Sequence, residues 1–250
     1  MVRLAHHVHS LFSPPLRLRG GWGALGFLLL LPSLVWAGGT VTGQVRFQGV
    51  VPRPKTILVT NDESVCGSKK IVETGIGKGA SPKDKMVKGA LLYIKGTVVG
   101  SKALVVPPES LVIDQKGCEF IPRVLLVPVG VPFLVRNSDL TLHNFRTDAR
   151  ENRPLNQAQS KGSSPLSIRF DRPEIIPFGC DVHPWMKGWV VVAPHAYYAL
   201  SDEKGRYSLA DIPAGDYTVG LWHELFGEQQ KKLVLREGET VSLDFILESK

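Results

Sequence analysis

After residue 37, the apolar residues of this chain recur in short runs with strand-like spacing and show no convincing helical period over windows of 11 or more residues. The clearest runs begin at Thr40 (TVTGQVRF), Ala90 (ALLYIKG) and Val124 (VLLVPVG). Gly, Pro, Ser and Asp separate them, as they do between the strands of a β-sandwich. The sequence therefore predicts an all-β protein with another strand over 166–170 and irregular segments over 64–86 and 149–164.

The first 37 residues have the composition of an export signal. Three arginines come without any acidic residue, an apolar run follows from Trp22 to Trp36, and Val35-Trp36-Ala37 ends the segment. This pattern predicts a secretory signal peptide over 1–37 that is cleaved after Ala37. An uncleaved membrane anchor is the alternative, although the apolar core of about fifteen residues, interrupted by Pro32, falls short of the ~20 that a spanning helix needs.

Cleavage would leave a mildly basic chain. The signal contains three of the 30 Lys and Arg residues and none of the 23 Asp and Glu residues, so the mature net charge is about +4. The basic residues are scattered and do not alternate with aromatic residues, so nucleic acid is not an expected partner. We expect a periplasmic or secreted protein with no membrane span after cleavage.

Residues 180–186 read Cys-Asp-Val-His-Pro-Trp-Met and place a thiolate, an imidazole and a thioether on one short segment. A blue-copper site needs two imidazoles and one thiolate in a plane, with a weak sulfur ligand on the axis. His143 offers the second imidazole, in a polar turn after the apolar run at 131–137. Each residue alone is more often an ordinary core or surface residue, but together they predict a metal site of His143, Cys180, His183 and Met186.

In these ligands and their spacing, the chain resembles the cupredoxins over about residues 108–194, and among them amicyanin. That family has the same Cys-x-x-His-Pro-aromatic-Met spacing, followed by basic-Gly and a Val-rich strand, as in Lys187 to Val192 here. The resemblance implies a Greek-key β-sandwich over 108–195 that holds one type 1 copper. It also implies that Asn144 ties the His143 strand to the Cys180 loop. Pro184 and Trp185 would form an apolar collar around His183, where a redox partner docks.

Two cysteines remain once Cys180 is assigned to the metal. Because an exported protein folds in an oxidising compartment, a Cys66–Cys118 disulfide is the simplest interpretation. Two free thiols, or two additional ligands for copper trafficking, are the alternatives.

The C-terminal residues 196–250 resemble the carboxypeptidase regulatory-like, prealbumin-type β-sandwich, a structural and interaction module without catalytic residues. The resemblance depends on two turns between alternating strands, Asp202-Glu-Lys-Gly205 and Ile212-Pro-Ala-Gly-Asp216, and on a similar first strand at Thr40. We expect a discontinuous sandwich, with strands in 38–107 and 196–250 and the cupredoxin domain between them. Two consecutive domains or one extended sandwich are the alternatives.

These features predict a mononuclear type 1 copper protein that passes single electrons between redox proteins, such as a c-type cytochrome and an exported dehydrogenase. One alternative is a non-redox copper carrier or store, although only Met86 and Met186 would remain after cleavage. The other is an interaction module with a vestigial copper loop. We do not expect an enzyme, because no His-x-His pair follows residue 37 and neither a nucleophile elbow nor a His-Glu-x-x-His motif occurs.

Overall fold

A computed structural model describes residues 38–72, 76–78 and 85–248, so the predicted signal peptide lies outside the described residues. The regular structure of the described part is almost entirely β-strand, which confirms the predicted all-β class. Its helices are α1 (Glu63–Cys66) and a 3-10 turn at Pro108–Ser110. Neither helix in this part of the chain has the length and apolar character needed to span a bilayer.

The strands of the described residues are, in chain order, β1 (Gly39–Gln48), β2 (Lys55–Leu58), β3 (Lys69–Val72), β4 (Ile76–Lys78), β5 (Lys85–Val87), β6 (Leu91–Ile94), β7 (Val112–Gln115), β8 (Phe120–Ile121), β9 (Val124–Pro128), β10 (Phe133–Asn137), β11 (His143–Thr147), β12 (Asn156–Gln159), β13 (Leu166–Ile168), β14 (Glu174–Gly179), β15 (Lys187–Ala193), β16 (Tyr198–Leu200), β17 (Arg206–Ile212), β18 (Gly215–His223), β19 (Gly227–Leu235), β20 (Thr240–Ser242) and β21 (Phe245–Glu248).

One sandwich is built by strands from both ends of the described residues. One sheet has the order β17-β1-β5-β4, with β20 and β21 also paired to β1, and the other has the order β16-β6-β18-β19. The alternation of β1 places Val41, Val45 and Phe47 in a core shared with the C-terminal strands. Gly43 is required by close packing, because a Cβ there would lie 2.2 Å from the carbonyl oxygen of Leu243.

The residues between these strands form a second sandwich. Its sheets have the orders β13-β10-β7-β8 and β12-β11-β14-β15-β9, around a core rich in phenylalanine. Strand β11 pairs antiparallel with β14, with Arg146 opposite Gly179. The same register, continued by three residues, places His143 beside the segment that comes after Gly179. Residues 180–186 are the connection between β14 and β15, and we call them the Cys loop.

A smaller cluster joins the two sandwiches. Leu91, Val191 and Trp222 are buried together, and the ring centroids of Trp189 and Trp222 lie 4.8 Å apart. At its edge, the guanidinium of Arg123 donates two hydrogen bonds to Glu224, at 2.7 and 2.8 Å. The Trp189 indole N–H donates a third bond to the same carboxylate at 3.1 Å.

The N-terminal range 38–107 divides between the two cores. Strands β2 and β3 pair with each other, and the segment between them, residues 59–68, buries Val59 and Cys66 in the core of the second sandwich. We call residues 59–68 the strap. The Cys66–Cys118 disulfide fastens the strap to the second sandwich. The boundaries at 107 and 195 stay predictions.

The two segments predicted to be irregular contain regular structure. The first, 64–86, overlaps α1, β3, β4 and β5, and the second, 149–164, contains β12. Strand β12 reads Asn-Gln-Ala-Gln and is largely exposed, so it has no apolar alternation to reveal it. Its pairing with β11 defines it as a strand instead.

Candidate metal centre

The two segments that supply the predicted ligands are neighbours at one end of the second sandwich. His143 is the first residue of β11, and Cys180 follows the last residue of β14. Two backbone hydrogen bonds close the Cys loop, from Met186 N–H to His183 O at 2.9 Å and from Cys180 N–H to Met186 O at 3.1 Å. The loop therefore presents Cys180 and His183 in a fixed relation to each other.

Three of the predicted ligand atoms converge. The Nδ1 atoms of His143 and His183 lie 2.9 Å apart, and Cys180 Sγ lies 4.0 Å from the first and 3.9 Å from the second. All three residues are buried. These spacings would allow all three atoms to bind one metal ion, since ordinary metal bonds are about 2.0 Å to imidazole nitrogen and about 2.3 Å to thiolate sulfur.

Each imidazole also faces a carboxylate with its other nitrogen. His143 Nε2 lies 2.9 Å from Asp139 Oδ2, and His183 Nε2 lies 3.1 Å from Asp62 Oδ2. Because an ionised carboxylate can only accept hydrogen bonds, each Nε2 carries a proton. In the neutral rings both Nδ1 atoms then present lone pairs to each other at 2.9 Å. That arrangement is repulsive unless a cation or a shared proton lies between them.

Burial and hydrogen bonding shift the pKa values of all three donor residues. Burial lowers the pKa of His143, but hydrogen bonds to Cys180 and Asp139 outweigh it and raise the pKa above its usual value. Burial and the neighbouring His143 charge lower the pKa of His183. Burial raises the pKa of the Cys180 thiol, but hydrogen bonds from His143 and from backbone N–H groups lower it overall. A lowered thiol pKa favours the thiolate, which is the form that binds metal.

The other two predicted residues are Met186 and Asn144, and the role of Met186 as a ligand stays a prediction. The Met186 side chain, at the end of the Cys loop, is 1% exposed and packs in the core of the second sandwich. The Asn144 amide accepts the Asp181 backbone N–H at 2.7 Å and donates to the Asp181 carboxylate at 2.9 Å. Asn144 therefore links β11 to the Cys loop. Bonds of this kind orient metal ligands, and their loss typically weakens metal binding about 10- to 100-fold.

The His183 ring is buried in this site and presents no exposed edge. The His183 side chain has 0% exposure, because the strap lies over it. Trp185 does pack on the His183 ring, with centroids 5.1 Å apart, but the indole is only 8% exposed and donates its N–H to Cys118 O at 3.0 Å. Pro184 is exposed. Trp185 thus contacts the His183 ring inside the protein, and docking of a redox partner at Pro184 and Trp185 stays a prediction.

The predicted Cys66–Cys118 disulfide is present, with a Cα–Cα distance of 5.3 Å, and Cys180 is the free cysteine of the described residues. The bridge lies against the metal centre, since Cys66 Sγ is 3.7 Å from His183 Nε2. The Cys118 backbone N–H in turn donates to Asp139 at 2.7 Å. Cys66 therefore contacts His183 itself, and Cys118 contacts the carboxylate that holds His143.

Sequence reasoning missed Asp62 and Asp139. Asp139 had a usable signal, because it lies four residues before His143 in the polar turn after β10. It also accepts the backbone N–H of Gly117 at 2.6 Å, so one side chain organises two loops. Asp62 gave no local signal, since it is 121 positions from His183.

Comparison with known proteins gives partial structural matches. No protein-family model matches the chain, and no curated protein matches it either. Among solved structures, a copper-containing nitrite reductase from Thermus scotoductus SA-01 is 27% identical with a TM-score of 0.32, over 40% of this chain and 25% of that one. A purple cupredoxin from Nitrosopumilus maritimus is 21% identical with a TM-score of 0.29, over 33% of this chain and 98% of that one.

Amicyanin from Paracoccus versutus is 19% identical with a TM-score of 0.30, over 39% of this chain and 96% of that one. The present chain thus spans a quarter of the nitrite reductase and nearly all of the two smaller proteins. The predicted carboxypeptidase regulatory-like module has no counterpart among these matches and stays a prediction. Because the similarity scores are low, the side chains of the metal centre are the stronger indication of function.

Proposed function

We propose that this protein is an exported single-electron carrier with one type 1 copper, held by His143, Cys180 and His183 with Met186 as the weak axial ligand. The observation that carries the proposal is the convergence of two Nδ1 atoms and one Sγ atom in a buried cluster. A thiolate, two imidazoles and a nearby thioether are the donors that blue-copper sites use. When bound, copper supplies the one-electron redox couple.

The protein's own contribution is a buried ligand set that is held in place by hydrogen bonds. Backbone hydrogen bonds close the Cys loop, Asn144 fixes it to β11, and carboxylates hold both imidazoles. Little movement of the ligands is then possible when the metal changes its charge, which suits electron transfer. A copper store would instead need a site that exchanges copper readily. The burial of all three donor residues therefore favours the electron carrier.

A groove beside the Cys loop is the docking face that we propose for a redox partner. It has a volume of about 570 Å³ and includes Pro184 and Trp185 next to the centre. Lys55 and Lys187 lie on its rim. The Arg123 guanidinium also lines it but is already paired with Glu224. The lysines suit a partner with an acidic surface, and such encounters are small and transient.

Spectroelectrochemistry of the copper-loaded mature protein tests this function. We expect reversible cycling between the oxidised and reduced forms in the presence of a Cu(I) chelator, without transfer of copper to the chelator. Release of copper on each reduction would instead support a non-redox copper carrier or store. If the protein binds zinc and gives no redox-active copper form, the electron-transfer proposal is contradicted.

A further inference from the structure

The strap delivers a carboxylate to the metal centre. Asp62 occupies the N-cap position of α1 in a left-handed conformation with φ of 55°, and its side chain makes no capping hydrogen bond. An aspartate in this position ordinarily accepts a backbone N–H of its own helix. Here the carboxylate instead accepts the Thr141 hydroxyl at 2.7 Å and the His183 Nε2–H at 3.1 Å.

Several bonds hold the strap in this position. The Val59 N–H donates to Ser68 O at 3.1 Å and closes the segment at its base. Cys66 is 4% exposed and is joined to Cys118, which lies beside the Cys loop through the Trp185 indole. The carboxylate of Asp62 is therefore presented to His183 by a fastened segment and not by a free loop.

We propose that Asp62 is a positioning residue for the copper site, which fixes the orientation of the His183 ring with its Nδ1 toward Cys180 and adds a negative charge beside the metal. The proposal rests on the proposed copper function. Asp139 holds His143 in the same way, at 2.9 Å from Nε2. Each imidazole is thus fixed by a carboxylate independently of its metal bond.

This arrangement has two consequences. A histidine fixed in its ligating orientation loses less freedom when metal binds, and loss of such a partner typically weakens metal binding 10- to 100-fold. In addition, a carboxylate beside a metal ligand stabilises the more positive oxidation state by Coulomb attraction, although the Asp62 side chain is 38% exposed and solvent screens part of that attraction. Asp62 therefore favours Cu(II) over Cu(I) and lowers the reduction potential.

The test compares Asp62→Ala and Asp62→Asn with Asp216→Asn, a matched control on an exposed residue of β18. Competition with a Cu(II) chelator should give 10- to 100-fold weaker binding for Asp62→Ala. Asp62→Asn should recover part of this loss, because its amide oxygen can still accept the His183 N–H. Both Asp62 variants lose the negative charge, so both should raise the reduction potential, where about 59 mV corresponds to a tenfold change in the Cu(I) to Cu(II) ratio.

A measurement on the metal-free protein separates this role from a general loss of structure. Nitrogen-15 NMR of the histidine rings should show His183 protonated at Nε2 in the wild type and in Asp216→Asn, and a mixture of tautomers in Asp62→Ala. A count of one alkylatable thiol would show that the disulfide has formed in each variant. If Asp62→Ala does not form the disulfide, the potential of Asp62→Asn is the deciding value.

The proposal is overturned if the Asp62 variants keep wild-type copper affinity, potential and His183 tautomer while they bind copper with an intense thiolate band. That result leaves the proposed function intact. If the wild type shows no copper-thiolate band at all, the proposed function itself fails, and the two failures are therefore distinguishable.

Discussion

The Nδ1 atoms of His143 and His183 lie 2.9 Å apart, although the two residues are 40 positions apart in the chain. The antiparallel register of β11 and β14 brings them together, since it places the start of β11 beside the Cys loop. Asp139 and Asp62 then turn both rings so that their lone pairs face a common point with Cys180 Sγ. A cluster with this much support from neighbouring groups is better explained by a bound cation than by packing alone.

The disulfide can be counted directly. Alkylation of the unfolded, unreduced apoprotein should label one thiol, that of Cys180, and prior reduction should raise the count to three. The physical reason is that Cys66 and Cys118 are bonded in the folded protein across 52 positions. Closing a loop of that length contributes about 4 kcal/mol to stability in the chain-entropy model. Three labelled thiols before reduction would contradict the disulfide.

Met186→Leu should preserve the coloured site and change its reduction potential. Leucine has a similar volume, so the substitution in this buried position should cost less than about 1.5 kcal/mol of stability. The potential should change because the thioether is the only weak axial donor in the proposed set. Cyclic voltammetry of the variant and the wild type checks this. An unchanged potential with full copper loading would exclude Met186 as a ligand.

Glu224→Gln should weaken the contact between the two sandwiches. Glu224 accepts two hydrogen bonds from Arg123 and one from Trp189, so the loss of its charge should cost about 1.5–3 kcal/mol at pH 7. Burial raises the pKa of Glu224, but Arg123 outweighs it and holds the pKa below the usual 4.5. The stabilisation is therefore complete above about pH 4.5 and is lost as the pH falls through the lower folded value.

Urea unfolding at pH 7 and at pH 3 checks this dependence. The difference in unfolding free energy between the wild type and Glu224→Gln should shrink at the lower pH. Glu237→Gln, on an exposed residue between β19 and β20, is the control and should behave as the wild type at both values. A difference that does not depend on pH would assign the effect to packing.

Lys55 and Lys187, which line the groove beside the Cys loop, should control the salt dependence of partner binding. Exposed charges are screened over about 10 Å at 0.1 M ionic strength, so electron transfer to an acidic redox protein should slow as salt rises. Lys55→Glu with Lys187→Glu should slow the reaction at low salt and weaken or reverse that dependence, because salt also screens the new repulsion. Lys204→Glu, in an exposed turn of the other sandwich, should leave the rate unchanged. If all these rates match and none responds to salt, docking does not use these charges.

The sequence predicted the features that depend on residues close together in the chain. The short alternating runs identified the β class and the strands at β1, β6, β9 and β13, and the spacing of Cys180, His183 and Met186 identified one segment of the metal centre. The disulfide was predicted from the cysteine count, but the position of the strap over His183 was not, because it depends on a hydrogen bond between Asp62 and His183, 121 positions apart. For the same reason the burial of His183 was not foreseen. Polar edge strands such as β12 were missed because pairing, and not burial, stabilises them.

The most direct test is a copper(II) titration of the mature protein monitored by visible spectroscopy, with Cys180→Ser and His143→Ala measured beside the wild type. The wild type should bind one copper per chain and develop an intense thiolate charge-transfer band. Cys180→Ser should lose the band, because the other two cysteines are in the disulfide. His143→Ala should bind copper more weakly, since a site on the Cys loop alone lacks the second imidazole. A colourless wild-type complex, or a band that persists in Cys180→Ser, would contradict a copper centre at His143, Cys180 and His183.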